Sequence, residues 1–556
     1  MKAEAGAMWI MVAGPYSHGA NSQSDRDNNL LALNLFALEL LSRGHLPVIG
    51  VNMALPLISA AGPAVDAGAI MDEVSLALVD RCDAVLRVGG QSRGADAEVA
   101  RFRLQGKPVY FDVADIPSPL PAGRHAPPPS SRIVPNEPRR SFPMTQAPDS
   151  IPSRPLGLTI TSFNPAFSDN PHELLDELRE NAPVAWDSLL QRVVLTRAAD
   201  VEAVLRDRDL MVDGRKAPEG TFMRMVSERR LPSGRVSEPS MLTLDPPDHD
   251  RLRALVNKAF TPRAVAAIEP RVREIAAELL DAVEGRDEWD LIGEFSAPLP
   301  TIVIAEMLGV DPHMQKQFKT WSDCVVQSFN PFLGPEKGRE IEAAIDDLGA
   351  YLRETIAERR ANRGDDLITA LIDAEENGEQ LNDQEIVTMV VLLLLAGNLT
   401  TTDLVGNGML AFLTHRDQWE LLKSRPELLA NAVEEMLRFD PPVVQSGRLS
   451  LKEMEVGGCP VHAGQTISPM LLAANHDPAL NPNPHAFDIS REDIHHTSFG
   501  GGRRYCLGAP LARLEARVAL EALVDRFPDL QLATDKPQWR NVPVFRGLVA
   551  LPVKPR

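Results

Sequence analysis

Between Ile116 and Leu156 the sequence reads IPSPLPAGRHAPPPSSRIVPNEPRRSFPMTQAPDSIPSRPL, and twelve of the chain's 46 prolines fall there. Proline fixes φ and removes a backbone donor, so this stretch suits neither a helix interior nor a central strand. It has almost no aliphatic periodicity and cannot bury a core, which makes it an extended linker. The 556-residue chain is also long for one compact core. We therefore expect a small unit over 1–115, a Pro-rich linker over 116–155 and a large unit over 156–556.

The net charge of −20 disfavours nucleic acid as a partner, because a phosphate backbone would be repelled. Four cysteines, Cys82, Cys324, Cys459 and Cys506, have no paired spacing, so neither a disulfide framework nor a zinc ribbon is indicated. That fits a reducing cytoplasm. The longest apolar run, VVLLLLAG at Val390–Gly397, is shorter than the roughly 18 residues a membrane span needs. The N-terminal MKAEAGAMWIMVAGPYS has an acidic flank and reads as a buried first strand, not a leader. The expectation is a cytoplasmic protein with no membrane partner.

Before the linker, strand and helix signals alternate: MWIMVAG, NNLLALNLFALELLSRG, LPVIGV, DEVSLALVDRC, DAVLRVGG, DAEVARFRLQG and KPVYFDV. Such alternation predicts a small α/β domain with a parallel, Rossmann-like sheet. Ligands of such sheets bind at the carboxyl ends of the strands, here AGPYS and GGQSRGADAE.

After the linker the signals are mostly helical. LNDQEIVTMVVLLLLAGNLTTTDLVGNGMLAFLTH opens on Asn382 with Glu385 three residues later, a capping box. Its centre is apolar nearly all round, so this helix should run through the middle of the unit. Another helix covers PELLANAVEEMLRF, and short strands are expected in EMEVGGCPVHAGQTISPM.

The segment SFGGGRRYCLGAPLAR carries the most specific chemistry. GAPLARLEARVALEALVDRF has helical spacing with Pro510 at its start, so Cys506 lies just before a helix N-terminus. Unpaired N–H groups and the helix dipole there favour an anion and lower a thiol pKa. The glycines Gly500, Gly501, Gly502 and Gly508 allow a flat object to approach closely, and Arg504 suits a carboxylate on it. A thiolate on the iron of a haem, with an arginine on a propionate, accounts for each residue type.

FGGGRRYCLG (Phe499–Gly508) resembles the cytochrome P450 haem signature FxxGx[HR]xCxG at every fixed position, and the likeness runs over roughly Asn164 to Val553. The resemblance implies a mostly α P450 fold with small β-sheets and haem b, with iron held by the Cys506 thiolate. Phe499, Gly502 and Gly508 would shape the cofactor loop. His249 and Arg253 in DPPDHDRLR, with Arg448 and Arg504, would bind the propionates. Glu435 and Arg438 of EEMLR would form a buried structural pair. The arginine that often joins them, in a P-x-R-F segment, is here Ala486 of PHAF.

AGNLTTT resembles the family's AGx[DE]T element. Ala396 and Gly397 would let the helix open beside the iron, and Thr400 would be the hydroxyl that manages oxygen and protons. The competing structural role for Thr400 is bonding back to a carbonyl one turn earlier. The acid that usually precedes this threonine is Leu399, so protons must come through water, Asn398, Thr401 or another route. The resemblance implies a monooxygenase acting on a small organic substrate, with electrons from a separate ferredoxin and ferredoxin reductase. A peroxide-using or redox-neutral enzyme, and a haem sensor with a nucleotide-binding N-terminal domain, are the alternatives.

AGPYS, CDAV and SRGADAEVARFRLQGKPVY resemble nucleoside 2-deoxyribosyltransferase-like domains over about Trp9 to Asp115. That likeness implies Glu98 as nucleophile near Ser92, with Tyr16 lining the same pocket and a nucleoside or nucleotide as ligand. The acid expected eight residues before the aspartate of CDAV is Ser75, with Asp72 one turn earlier. A fold kept for binding or oligomerisation competes with catalysis there.

Overall fold

The computed structural model describes residues 8–14, 33, 36–37, 40, 45–50, 67–88, 92–111 and 116–117, and 151–555 apart from 155, 158, 188–189, 220, 229–232, 236–237, 260, 311, 330–334 and 377. Tyr16 and most of the Pro-rich stretch lie outside the described residues. The chain divides into two compact units, Met1–Ser141 and Phe142–Arg556.

In the first unit, strands β1 (Trp9–Ala13), β2 (Leu46–Val48), β3 (Ala84–Arg87) and β4 (Val109–Tyr110) form a sheet in the order β2-β1-β3-β4. All of its pairings are parallel. Strand alternation explains its two cores. Ile10 and Val12 face Leu33, Leu40, Ile49 and Leu86, while Met11 and Ala13 face Val79, Val99 and Phe102. Ser92 caps the Arg93–Leu104 helix, its hydroxyl accepting from the Ala95 N–H at 3.4 Å.

The second unit is mostly helical, with small sheets at its margins. The largest has five strands: Arg448–Leu449, Thr466–Pro469, Arg192–Leu195, Val184–Asp187 and Ser153–Arg154, in that spatial order. The central helix, Asp383–Thr414, is 32 residues long and starts on the Asn382/Glu385 capping box. It is the one described helix long and apolar enough to cross a membrane. Here its apolar surface is taken up by protein: Ile386, Val390, Leu394, Leu404 and Phe412 all belong to the main core. Among the helices packed on it are Pro298–Met307, Leu429–Phe439 and Ala509–Arg526.

Ala509–Arg526 follows the cysteine loop with Gly508 as its N-cap and proline in its first turn. Helix and loop together bring Cys506 to the side of the central helix that carries Gly397 and Thr400.

Candidate active site

A cavity of about 1220 Å³ separates the cysteine loop from the central helix. Cys506, Phe499, Gly508, His249, Arg253, Arg448 and Arg504 line it, and so do Ala396, Gly397, Thr400 and Thr401 of the central helix. Sequence positions as far apart as Thr161 and Phe545 thus converge on one space, which Glu515 also lines. A Cβ added at Gly397 or Gly508 would meet no protein atom within 4 Å. Both glycines therefore face open volume suited to a flat ligand.

Gly502 does something else. Its φ is +60°, and a Cβ there would sit 3.0 Å from the Leu205 carbonyl oxygen and 3.1 Å from Arg206 Cα. It lets the loop pack against its neighbour and does not line the cavity, which corrects its expected place beside the cofactor. The loop closes through the Cys506 N–H, which donates to the Phe499 carbonyl at 2.9 Å. The Arg513 guanidinium stacks 4.6 Å above the Phe499 ring.

Burial pushes the Cys506 thiol up, although the N–H groups of Gly508 and Ala509 and the charges of Arg253 and Arg513 pull it down. The sequence signal of a helix N-terminus is present, yet desolvation outweighs it. An iron ion facing the sulfur would add a cation that favours the thiolate form.

The four expected carboxylate binders form a crowded group of three guanidiniums and one imidazole. Arg253 donates to the Tyr505 carbonyl at 2.7 Å, and burial lowers its pKa. Arg448 donates to Ser446 Oγ at 2.9 Å and the Gly447 carbonyl at 2.8 Å. Burial, with the nearby Arg504 charge, takes Arg448 down to about 10. Arg504 donates to the Leu244 carbonyl at 2.6 Å and to buried Asp245 at 3.0 Å, and burial lowers it too. His249 lies 2.8 Å from Asp250 through Nδ1, with its pKa lowered by burial. Cations held down by burial and by each other gain when anions enter the cavity. Two propionates fit this donor set.

The buried pair is present and larger than expected. Arg438 donates from Nε to Glu435 Oε2 at 2.7 Å and from Nη2 to Oε1 at 2.8 Å, and both side chains are fully buried. The missing third partner is Arg491, whose Nε lies 3.1 Å from Glu435 Oε1. Ala486 contributes its carbonyl instead, accepting from Arg438 and from Arg491, each at 2.9 Å. Arg438 also reaches the Pro484 carbonyl at 2.7 Å. Asn475 then ties this network to the cysteine loop: its Nδ2 lies 2.9 Å from Ser498 Oγ, and its Oδ1 accepts from the Thr497 N–H at 2.7 Å.

The central helix does not open at Gly397. It is continuous from Asp383 to Thr414, and Thr400 Oγ1 donates to the Ala396 carbonyl at 2.7 Å. The back-bonded role weighed for Thr400 is the one seen, because nothing else within the described residues competes for its hydroxyl hydrogen. Asn398 faces away from the cavity, its Nδ2 donating to Ser322 Oγ at 3.0 Å.

Reading the sequence missed Glu515. It lines the cavity, is fully enclosed, and bonds to Thr401, yet burial pushes its carboxyl up to about 8. Its signal was positional: it falls between Leu511, Leu514 and Val518 on the buried face of its helix.

The comparisons agree with this geometry. The Cytochrome P450 family model matches residues 152–424 and 414–554. Cytochrome P450 107B1 of Saccharopolyspora erythraea is 38% identical over 402 residues, covering 71% of this chain and 98% of that protein. The 6-deoxyerythronolide B hydroxylase of the same organism is 37% identical, covering 68% and 94%. Among solved structures, CYP109E1 from Bacillus megaterium in complex with testosterone aligns with a TM-score of 0.62 and 35% identity, covering 70% of this chain and 99% of that one.

The chain belongs to the cytochrome P450 family. It is a haem-thiolate monooxygenase, an oxidoreductase whose haem b iron is bound by a cysteine thiolate and whose electrons come from redox partner proteins.

Proposed function

We propose that Cys506 is the thiolate ligand, that His249, Arg253, Arg448 and Arg504 bind the two propionates, and that the substrate is a bulky, largely apolar molecule. The observation that carries this reading is the single cavity holding the cysteine, the cations and the threonine-bearing helix face. Bound haem supplies reductive activation of dioxygen and delivery of one oxygen atom to the substrate. The substrate part of the cavity is walled by side chains such as Met223, Met241, Ile304, Leu393, Val443 and Phe545. The cavity's volume of about 1220 Å³ leaves room for a haem and, beside it, a substrate of several rings. Relatives named for 6-deoxyerythronolide B and bound to testosterone support a multi-ring or macrocyclic substrate.

Glu515 takes the proton-holding role that Leu399 leaves open. Protonated at neutral pH, it holds a proton beside Thr401, and Thr400 presents a second hydroxyl one residue away. That acid favours dioxygen-dependent oxidation over the peroxide-using and redox-neutral alternatives. We expect Glu515→Gln to slow product formation about 100-fold while leaving the substrate-induced spin shift intact. An unchanged rate removes Glu515 from the proton route.

The same group sets a pH dependence of stability. Its native pKa of about 8 lies above the unfolded value of 4.5, so the folded state holds the proton more tightly. This contribution is fully present below the unfolded value and is lost as pH rises through the native one. Raising the pH from 5 to 8 should therefore lower the wild-type Tm relative to that of Glu515→Gln. A constant difference across that range contradicts the shift.

Electrons would come from a ferredoxin and its reductase in the cytoplasm. In the first unit, we take the carboxyl ends of β1 and β3 as a nucleoside or nucleotide site. These adjoining strands connect in opposite directions, and Ser92, which caps the helix that follows β3, and Glu98 on that helix are both buried. Release of free base from deoxynucleosides by the full chain, lost in Glu98→Gln, tests catalysis there.

A substrate library screened for spin-state shifts, followed by turnover under labelled dioxygen, tests the main reading. One labelled oxygen atom per product molecule is expected. A product without label overturns it.

A further inference from the structure

Three histidines outside the cavity meet on the second unit. His172 is in the first turn of the Pro171–Asn181 helix, His476 directly follows the Leu471–Asn475 helix, and His485 lies in the loop beyond. Each brings a ring nitrogen within 4.8 Å of the other two. The ring centroids are 4.1 Å apart for His172 and His476, 5.1 Å for His172 and His485, and 5.3 Å for His476 and His485.

Their outer hydrogen bonds fix which nitrogens carry protons. His476 Nε2 lies 2.8 Å from the Phe439 carbonyl oxygen, which only accepts, so the proton is on Nε2 and Nδ1 offers a lone pair. His485 Nε2 lies 2.7 Å from Asp176 Oδ2, so in the neutral ring Nδ1 is again the bare nitrogen. These two Nδ1 atoms face each other at 3.3 Å. Two lone pairs at that distance repel unless a cation lies between them. Completing the group, His172 Nδ1 is buried without a hydrogen-bond partner. Leaving a buried ring nitrogen unsatisfied costs free energy that a bound ion would recover.

We propose that His172, His476 and His485 form a three-histidine site for a divalent transition-metal ion of the zinc class. A separation of 3.3 Å matches the edge of a tetrahedron with metal–nitrogen bonds of roughly 2.0–2.1 Å. Imidazole nitrogens suit zinc, copper and nickel, and among the described residues no thiolate or further carboxylate joins the cluster. Asp176 and the Phe439 carbonyl are the outer partners that orient the rings. His485, with 47% of its side chain exposed, gives an ion a way in.

The consequence reaches the active site. Pro484 and Ala486, which flank His485, are the residues whose carbonyls accept from Arg438. An ion bridging His485 to the Pro171–Asn181 helix would staple the loop that holds the buried arginine network.

The test uses the full-length, untagged holoenzyme, stripped with EDTA, freed of chelator and titrated calorimetrically with zinc chloride. Haem content and far-UV circular dichroism establish that each variant is folded. One zinc ion per chain is expected in the wild type, with this site lost in His485→Ala and weakened about 10- to 100-fold in Asp176→Asn. If the wild type binds zinc no more tightly than His485→Ala, the proposal is overturned, and a proton shared by His476 and His485 occupies the gap.

Discussion

Arg438→Ala should cost the P450 unit about 3–5 kcal/mol and sharply reduce the haem it retains. The figure is that for removing one partner of a buried ion pair, which leaves the other charge enclosed and unmatched. Glu435 would keep only Arg491 and the Asp488 N–H, at 3.1 and 2.9 Å. The carbonyls of Pro484 and Ala486 would each lose a charged donor. With domain stabilities of about 5–15 kcal/mol, that loss is a large share of the total. Arg438→Lys should recover only part of it, because an ammonium cannot reproduce the fork that holds both carboxylate oxygens. The denaturation midpoint and the haem-to-protein ratio read both effects. A change below about 1 kcal/mol, the level of a surface pair, would show that the network does not support the loop.

Arg491→Ala should be milder. Its guanidinium shares Glu435 Oε1 with Arg438 Nη2, so the carboxylate keeps its bidentate partner when Arg491 is removed.

These residues also show what a sequence can carry. Glu435 and Arg438 are three apart on one helix, so their pairing is local and legible. Arg491 is 56 positions from Glu435, and only the folded loop brings them together. The expectation placed the third arginine where Ala486 stands. The chain instead uses the Ala486 carbonyl and takes the guanidinium from five residues further on. The central helix could be bounded from its capping box, because Asn382 and Glu385 act on backbone groups within one turn. Whether that helix opens at Gly397 depends on what fills the space beside it, and spacing alone does not fix that.

Cys506 shows the same limit in electrostatics. Its place before a helix N-terminus is a local fact and was readable. The burial that raises its pKa arises from distant segments packing around it. Glu515 was missed for a related reason: a glutamate among alternating charges looks solvated until its helix is seen to turn that face inward. The histidine cluster is wholly tertiary, since His172 lies 304 residues before His476 and joins it only because the Pro171–Asn181 helix packs on the Leu471–Asn475 turn.

Cys506 is the residue on which iron ligation turns. Its sulfur faces the cavity that His249, the three arginines and the threonine helix also line, and no other described cysteine does. Replacing it with serine keeps the side chain's size while removing the soft, electron-donating ligand, so the loss should be all or none. The direct measurement is the absorption difference spectrum of the reduced protein with and without carbon monoxide. The wild type should show the red-shifted Soret band of thiolate-ligated haem, and Cys506→Ser, at matched haem content, should lack it entirely. A red-shifted band that persists in the serine variant would contradict the assignment of Cys506.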